Sequence, residues 1–443
     1  MGGLRGLNDK PMKKRTGLAL SGGGFRAAAF HLGTLRQLHQ MGILSHIDVI
    51  SSVSGGSITA AAYALNTKPF DDFERDMKKS LQKSMLTACY LLLGTALAIL
   101  LTLPFVLAAW GWYWLFIYIP LILLLMRFQF NLLPFSRIIE QRYRSVFFGN
   151  KTLADLPEKP LLVINATNVE TGRPFSFSRD KMTDSTYEFP PKGIAPVLFR
   201  HQRFPVSRAV MASSCVPFAF NPVKIGRRHY HKPHDARRID PILIDGGVYD
   251  NQGIHKLTHF GSLYACDTVL VSDAGTGFKP LTRMNNTVML LMQTSNLFMN
   301  RIKNIQYVNN VVLNKYLGKK SIAYFSLSNE PENAINYFVD FAKSGKLMPS
   351  LLAHHQLTPD MVITMSKQAL AGHMKQQIGY DAMTERFPNA SRRTVARSVG
   401  TNLTALTTTQ INNLMSLTQV LTEIHVHLFC PELCNVVKTE TAQ

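Results

Sequence analysis

The sequence is short of acidic side chains, of cysteine, and over one long stretch of any charge at all. Asp and Glu number 28 against 48 Lys and Arg, a formal net charge of +20. That excludes a self-neutralising surface and demands a negatively charged partner, with anionic lipid and nucleic acid the two obvious ones. Five cysteines, Cys89, Cys215, Cys266, Cys430 and Cys434, are too few and too scattered for a disulfide framework, so a reducing compartment fits. The basic start is followed by TGLALSGGGFRAAAF, where Ser and Arg interrupt the apolar core that an export signal needs, and no cleaved signal is expected. Residues 84–126 hold no Asp, Glu, Lys or Arg, which excludes an ordinary fully soluble protein as the default. What is abundant is hydrophobic, 46% against 17% charged, so disorder is excluded as the main state and a large core is within reach.

Short apolar runs alternate with helical patterns. Thr16 to Ser21 reads as a strand and Phe25 to Met41 as a helix with Phe30, Leu35, Leu38 and Met41 on one face. Asp48 to Val53 is the next strand, Ser54 sits on a turn, and Gly55 to Leu65 is an Ala-rich helix. Further strands are expected at Leu161 to Ala166, Ile242 to Asp245, Thr268 to Asp273 and Ser321 to Phe325. This alternation predicts an α/β fold with helices on both faces of a sheet. The expected units are a basic N-terminal segment 1–15, an α/β domain split into 16–83 and 134–280, an apolar insert 84–133, and a mainly helical region 281–443 with little chemistry that can be named.

As one helix the charge-free block would be roughly 64 Å long, twice a hydrocarbon core of about 30 Å. Two crossings fit and one does not. All three tryptophans, Trp110, Trp112 and Trp114, fall together with Tyr113 and Gly111, a pattern expected of a hairpin tip at the far headgroup layer. Lys78, Lys79 and Lys83 precede the block, and Arg127, Arg137, Arg142 and Arg144 follow it. The positive-inside rule then predicts a two-helix membrane protein with both flanking halves in the cytoplasm. A buried helical hairpin or lid in a soluble domain, and a hairpin dipping into one leaflet, are the other readings of the block.

Three short motifs carry the chemistry. Ser21-Gly22-Gly23-Gly24-Phe25-Arg26 joins a strand to a helix, where glycines expose backbone N–H groups at a helix N-terminus, a ready anion site. The spacing is neither that of a dinucleotide fingerprint nor that of a P-loop. Ser52-Val53-Ser54-Gly55-Gly56 is a nucleophile elbow, with Ser52 where Gly is usual. Ile244-Asp245-Gly246-Gly247 ends a strand with an acid, where open α/β sheets collect their sites.

In this order and spacing the motifs resemble the patatin-like phospholipase family, over residues 16 to 275 without the apolar insert. Ala212-Ser213-Ser214 ahead of Pro217, and Asn165-Ala166-Thr167 followed by Thr171-Gly172-Arg173, are similar to the family as well. The resemblance implies a three-layer α/β/α sandwich and a serine lipid acyl hydrolase of phospholipase A or lysophospholipase type. Ser54 would be the nucleophile and Asp245 its general base, with no catalytic histidine. The N–H groups of Gly22, Gly23 and Gly24 would form the oxyanion hole, supported by Arg26, Gly55, Gly246 and Gly247. No metal and no cofactor is required. The implied partner is membrane phospholipid, especially an anionic leaflet, and no specific nucleic acid. Ser54 precedes the apolar block and Asp245 follows it, so one shared site requires an even number of crossings.

Other readings stay open on the residues alone. A Ser–His–Asp triad could use His255 or His259. The cluster from Arg227 to Arg238 is either a lipid-phosphate contact or a solvated loop, and its histidines lack the Cys or acid pattern of a metal site. A non-enzymatic basic membrane scaffold, or a nucleic-acid-binding protein on a relic hydrolase fold, is the second class of function. Its basic residues are not interleaved with aromatics in a binding strip.

Overall fold

The computed structural model describes residues 14–277, 286–313 and 320–435; most of the basic segment 1–15 lies outside them. A parallel sheet buries its central strands on both faces, and β1 (Thr16–Leu20) and β2 (Val49–Val53), mostly apolar runs of sequence, are buried along their whole length. They are joined in the sheet by β3 (Leu161–Asn168), β4 (Arg173–Phe177), β5 (Met182–Thr183), β6 (Val223–Lys224), β7 (Ile242–Asp245), β8 (Thr268–Asp273) and β9 (Ser321–Ser326). The order is β5-β4-β3-β2-β1-β8-β9, with β7 pairing β3 and β6. The five central strands run parallel, while β4, β5, β6 and β7 join antiparallel. Strands β4, β5 and β6 were not legible in the sequence, being short and, in β4, interrupted by Pro174.

The register explains where the site forms. β2 pairs with β3 only as far as Val53 opposite Asn165. Beyond that point β7 occupies the vacated edge of β3 in the opposite direction, with Asp245 opposite Ala166. The turn leaving β2 and the end of β7 therefore meet.

Eight helices matter here: α1 (Gly24–Gln40), α2 (Gly55–Ala64), α3 (Thr87–Ala108), α4 (Tyr118–Leu132), α5 (Phe135–Tyr143), α6 (Val206–Ser213), α7 (Thr287–Gln306) and α8 (Thr408–Phe429). Phe30, Leu35 and Leu38, expected on one face of α1, are buried. Its side chains are buried nearly all round, from Phe25 to Leu38, because α8 covers the side away from the sheet. Thr34 Oγ1 meets Thr418 Oγ1 at 3.1 Å, and Gln37 donates to Glu423 at 3.0 Å. The C-terminal region thus supplies a sheet strand, β9, and a core helix.

The apolar block differs from the expected pair of crossings. Among the described residues one helix, α3, is long and apolar enough to cross a membrane. The aromatic window is wound into a 3-10 turn, Trp112–Ile117, which leaves α4 only 15 residues, about 22 Å at the α-helical rise. Leu91, Ile99 and Phe105 of α3 stand exposed by 69%, 63% and 80%. Both ends of the block are rooted in the α/β domain. Before α3, the Met85 N–H donates to the Leu403 carbonyl (3.0 Å). After α4, Ser136 donates to Asn221 through its N–H (3.3 Å) and its hydroxyl (2.5 Å). The chain leaves and re-enters on the same body.

Candidate active site

Parallel strands deliver their turns to one edge of the sheet, and β1 and β2 are neighbours, so the triple-glycine loop and the serine elbow lie side by side. Ser54 has φ 49° and ψ −120°, a conformation that costs about 1–3 kcal/mol for a residue with a side chain. The surroundings enforce it. The Ser54 N–H donates to Ser213 Oγ (2.9 Å), and the Gly56 N–H to the Ser21 carbonyl (3.1 Å). A Cβ on Gly55 would run into the Gly24 carbonyl oxygen, so the two turns touch backbone to backbone. Ser52, in the place usual for glycine, is fully buried, and its hydroxyl accepts from Ser57 Oγ at 3.1 Å.

Asp245 is 3% exposed. Its Oδ1 accepts the Gly247 N–H at 2.7 Å. Its own N–H donates to the Cys215 carbonyl (2.9 Å), and its carbonyl accepts from Thr167 Oγ1 (2.9 Å). Burial pushes the carboxyl up to about 6, against the lowering pull of the Gly247 N–H and the Ser54 hydroxyl. Oδ2 is buried without a hydrogen bond of standard geometry. The serine and the carboxylate are thus adjacent but not locked, as is common for catalytic pairs without substrate.

The donors of the glycine loop divide in two. The Gly22 N–H is already given to the Asn251 carbonyl (2.9 Å) and the Phe25 N–H to the Asn402 carbonyl (2.8 Å). The expectation that Gly22 offers an oxyanion donor is therefore corrected, since its one N–H is spent holding the loop. Among the described residues no hydrogen bond engages the N–H of Gly23 or the Gly24 N–H at the start of α1. Arg26 does not point at a carboxylate. It is buried, donates to the Val399 carbonyl (3.2 Å) and leaves Nε unpartnered. Burial lowers its pKa to about 10, with Asp273 pulling the other way. Beside it opens a cavity of about 560 Å³ lined by Arg26, Asn251, Met289, Met292, Met299 and Val399, among others.

The histidine triad is not assembled. His255 stacks on His259 at 4.8 Å, burial lowers the His255 pKa to about 4, and neither ring hydrogen-bonds Ser54 or Asp245 among the described residues. In the basic loop His229 and Asp235 are buried, and Arg238 pairs with Asp235 at 2.8 Å.

The family profile described as Patatin-like phospholipase matches residues 18–258, more than half of the chain. The chain belongs to the patatin-like phospholipases. Its enzyme class is accordingly that of a lipid acyl hydrolase. No curated protein sequence matches it. Among solved structures, VipD from Legionella pneumophila is similar at 13% identity over 92% of each chain, with a TM-score of 0.31. Human GIVD cytosolic phospholipase A2 is similar at 12% identity over 96% of this chain, with a TM-score of 0.44. The patatin-like chain spans 62% of that human enzyme's length.

Two residues that sequence reasoning missed as site components are Asn251 and Asn402. Both act through backbone carbonyls, which leave no mark in a sequence. Ser213 was noticed only as part of a similar stretch. Its hydroxyl proves to be the joint of the site, accepting the Ser54 N–H and donating to the Asn165 carbonyl at 2.6 Å.

Proposed function

We propose that this phospholipase cleaves fatty-acyl esters of glycerophospholipids, with Ser54 as nucleophile and Asp245 as general base, while held at a membrane by its apolar block. The observation that carries the reading is a strained, enforced serine beside a buried carboxylate whose Oδ2 has no other partner. A base near pKa 6 is ionised at neutral pH and still basic enough to take a hydroxyl proton. Ser54 Oγ attacks the ester carbonyl as its proton passes to Asp245, and the negative charge on oxygen meets the N–H groups of Gly23 and Gly24 at the N-terminus of α1. Asp245 returns the proton to the departing lysolipid alkoxide. It then takes a proton from water, which releases the fatty acid and restores the serine.

For the membrane, α3 crosses outward and 112–132 returns. As a 3-10 turn followed by α4, that return is about 34 Å long, enough for a core of about 30 Å. The basic flanks face the cytoplasm, and the +20 charge finds its partner in an anionic inner leaflet. Purified full-length protein in phospholipid vesicles is expected to release fatty acid and to take a fluorophosphonate label. Ser54→Ala loses both with an unchanged melting temperature. Full hydrolysis by Ser54→Ala, or no release from any glycerolipid by folded wild type, overturns the reading. Protease added outside sealed cytoplasm-out vesicles should cut loops on both sides of the block, and protection of either flank would refute the hairpin.

A further inference from the structure

Only three non-glycine residues among those described have positive φ, and two of them, Ser54 and Phe218, belong to the same part of the molecule. A bulky aromatic at φ 68° is a backbone outlier that persists only where its surroundings insist on it. The Ala219 and Phe220 N–H groups both return to the Val216 carbonyl (3.3 and 3.1 Å), closing a tight turn around Pro217. This strain buries nothing: Phe218 is 64% exposed and Val216 40%. The turn hangs directly from the site, because Cys215 O accepts the Asp245 N–H and Ser213 O the Gly246 N–H.

Its other end leads to the foot of the apolar block. Asn221 holds Ser136 by two hydrogen bonds, and Asn221 and Pro222 share a cleft with Arg127, Phe128 and Phe130 at the end of α4. Arg127 and Arg137 are exposed there. An exposed apolar turn that leads through Asn221 to a cleft carrying Arg127 and Arg137, at the foot of helices whose side chains are exposed and apolar, matches an anionic lipid surface in both charge and polarity. We propose that the Val216–Phe218 turn is a lipid-contact wedge that enters the interfacial layer of an anionic phospholipid leaflet beside Ser54. It steadies the mouth of the site where a lipid must rise to reach the serine. This rests on the reading of Ser54 as a lipid-hydrolysing nucleophile held at a membrane.

The test compares two substrates in the same preparation. Full-length protein is reconstituted in vesicles of phosphatidylcholine and phosphatidylglycerol, and fatty-acid release from those lipids is measured beside hydrolysis of a monomeric short-chain nitrophenyl ester. Losing the burial of one large apolar side chain predicts that Phe218→Ser lowers vesicle-lipid turnover about tenfold, with soluble-ester hydrolysis and fluorophosphonate labelling of Ser54 unchanged. Phe218→Leu should restore most of the rate. Equal loss on both substrates would place Phe218 in the acyl cleft and overturn the proposal, as would an unchanged rate on both. A failure of the Ser54 reading is recognised separately, because Ser54→Ala would then still hydrolyse the soluble ester.

Discussion

The site and the apolar block solve opposite problems with the same kind of chain. Around Ser54 the polar groups are inside and paired with one another: Ser52 with Ser57, Ser213 with Asn165, Thr167 with Asp245. In α3 large apolar side chains such as Leu91 and Phe105 stand exposed among the described residues. One region finds most of its partners within the protein and holds a few groups, Asp245 Oδ2 and the Gly23 and Gly24 N–H, without one. The other leaves its apolar side chains exposed among the described residues, and a hydrocarbon layer is the solvent in which an exposed Phe105 would cost nothing. The contrast puts the proposed chemistry in the first region and the proposed membrane anchor in the second.

That contrast can be broken most sharply at Asp245. Asp245→Asn should lower kcat/KM on a soluble ester by about 10²–10⁴-fold and yet raise the melting temperature. The wild-type carboxyl is raised to about 6 from its ordinary value, so the cost of keeping it charged builds up from about pH 4 and is fully present above about pH 6. Removing the charge recovers on the order of 3 kcal/mol at neutral pH. In wild type, kcat/KM should fall as pH drops below about 6, since the base must be ionised. A destabilised Asp245→Asn, or a profile flat through pH 6, would contradict the buried base.

Next is the contact between the two turns. Gly55→Ala pushes a methyl group into the Gly24 carbonyl, and a displacement of about 1 Å should cost about 100-fold in turnover. Kinetics on the soluble ester, with a melting curve to confirm folding, checks this. A smaller effect is expected at the strap 399–406. There Asn402 Oδ1 accepts the Thr404 hydroxyl (2.6 Å) and N–H (3.3 Å), which sets the direction of the carbonyl that holds Phe25. Asn402→Ala should lower kcat about tenfold at nearly constant KM, a loss confined to orientation. Asn402→Asp, which keeps the acceptor, should restore it. The smallest effect on chemistry is expected in the block itself. Leu91→Lys with Phe105→Lys, each costing about 3 kcal/mol in a bilayer, should release the protein from membranes in a flotation assay while soluble-ester turnover stays within about twofold. A large loss on the soluble ester would mean that α3 packs on the site.

Much of the sheet could be read beforehand because its strands are short, mostly apolar and punctuated by Gly, Ser or Asp: β1, β2, β7 and β8 lie where their hydrophobic runs do. The reading stopped where burial came from elsewhere in the chain. Nothing local to α1 announces that α8, almost 400 residues later, covers its side away from the sheet. In the apolar block, composition cannot tell a 3-10 turn from an α-helix among aromatics, so the turn that shortens α4 is not visible in the sequence.

Residue types, their spacing and the family they resemble were enough to nominate Ser54, Asp245 and the glycine loop as candidates and to mark the uncharged block, because nucleophilicity, basicity and hydrophobicity are properties of side chains. Which N–H groups remain for an oxyanion was decided only by folding. The carbonyls of Asn251 and Asn402 take the donors of Gly22 and Phe25 and leave those of Gly23 and Gly24. A backbone carbonyl is the same in every residue, so only its position in space could reveal what it does.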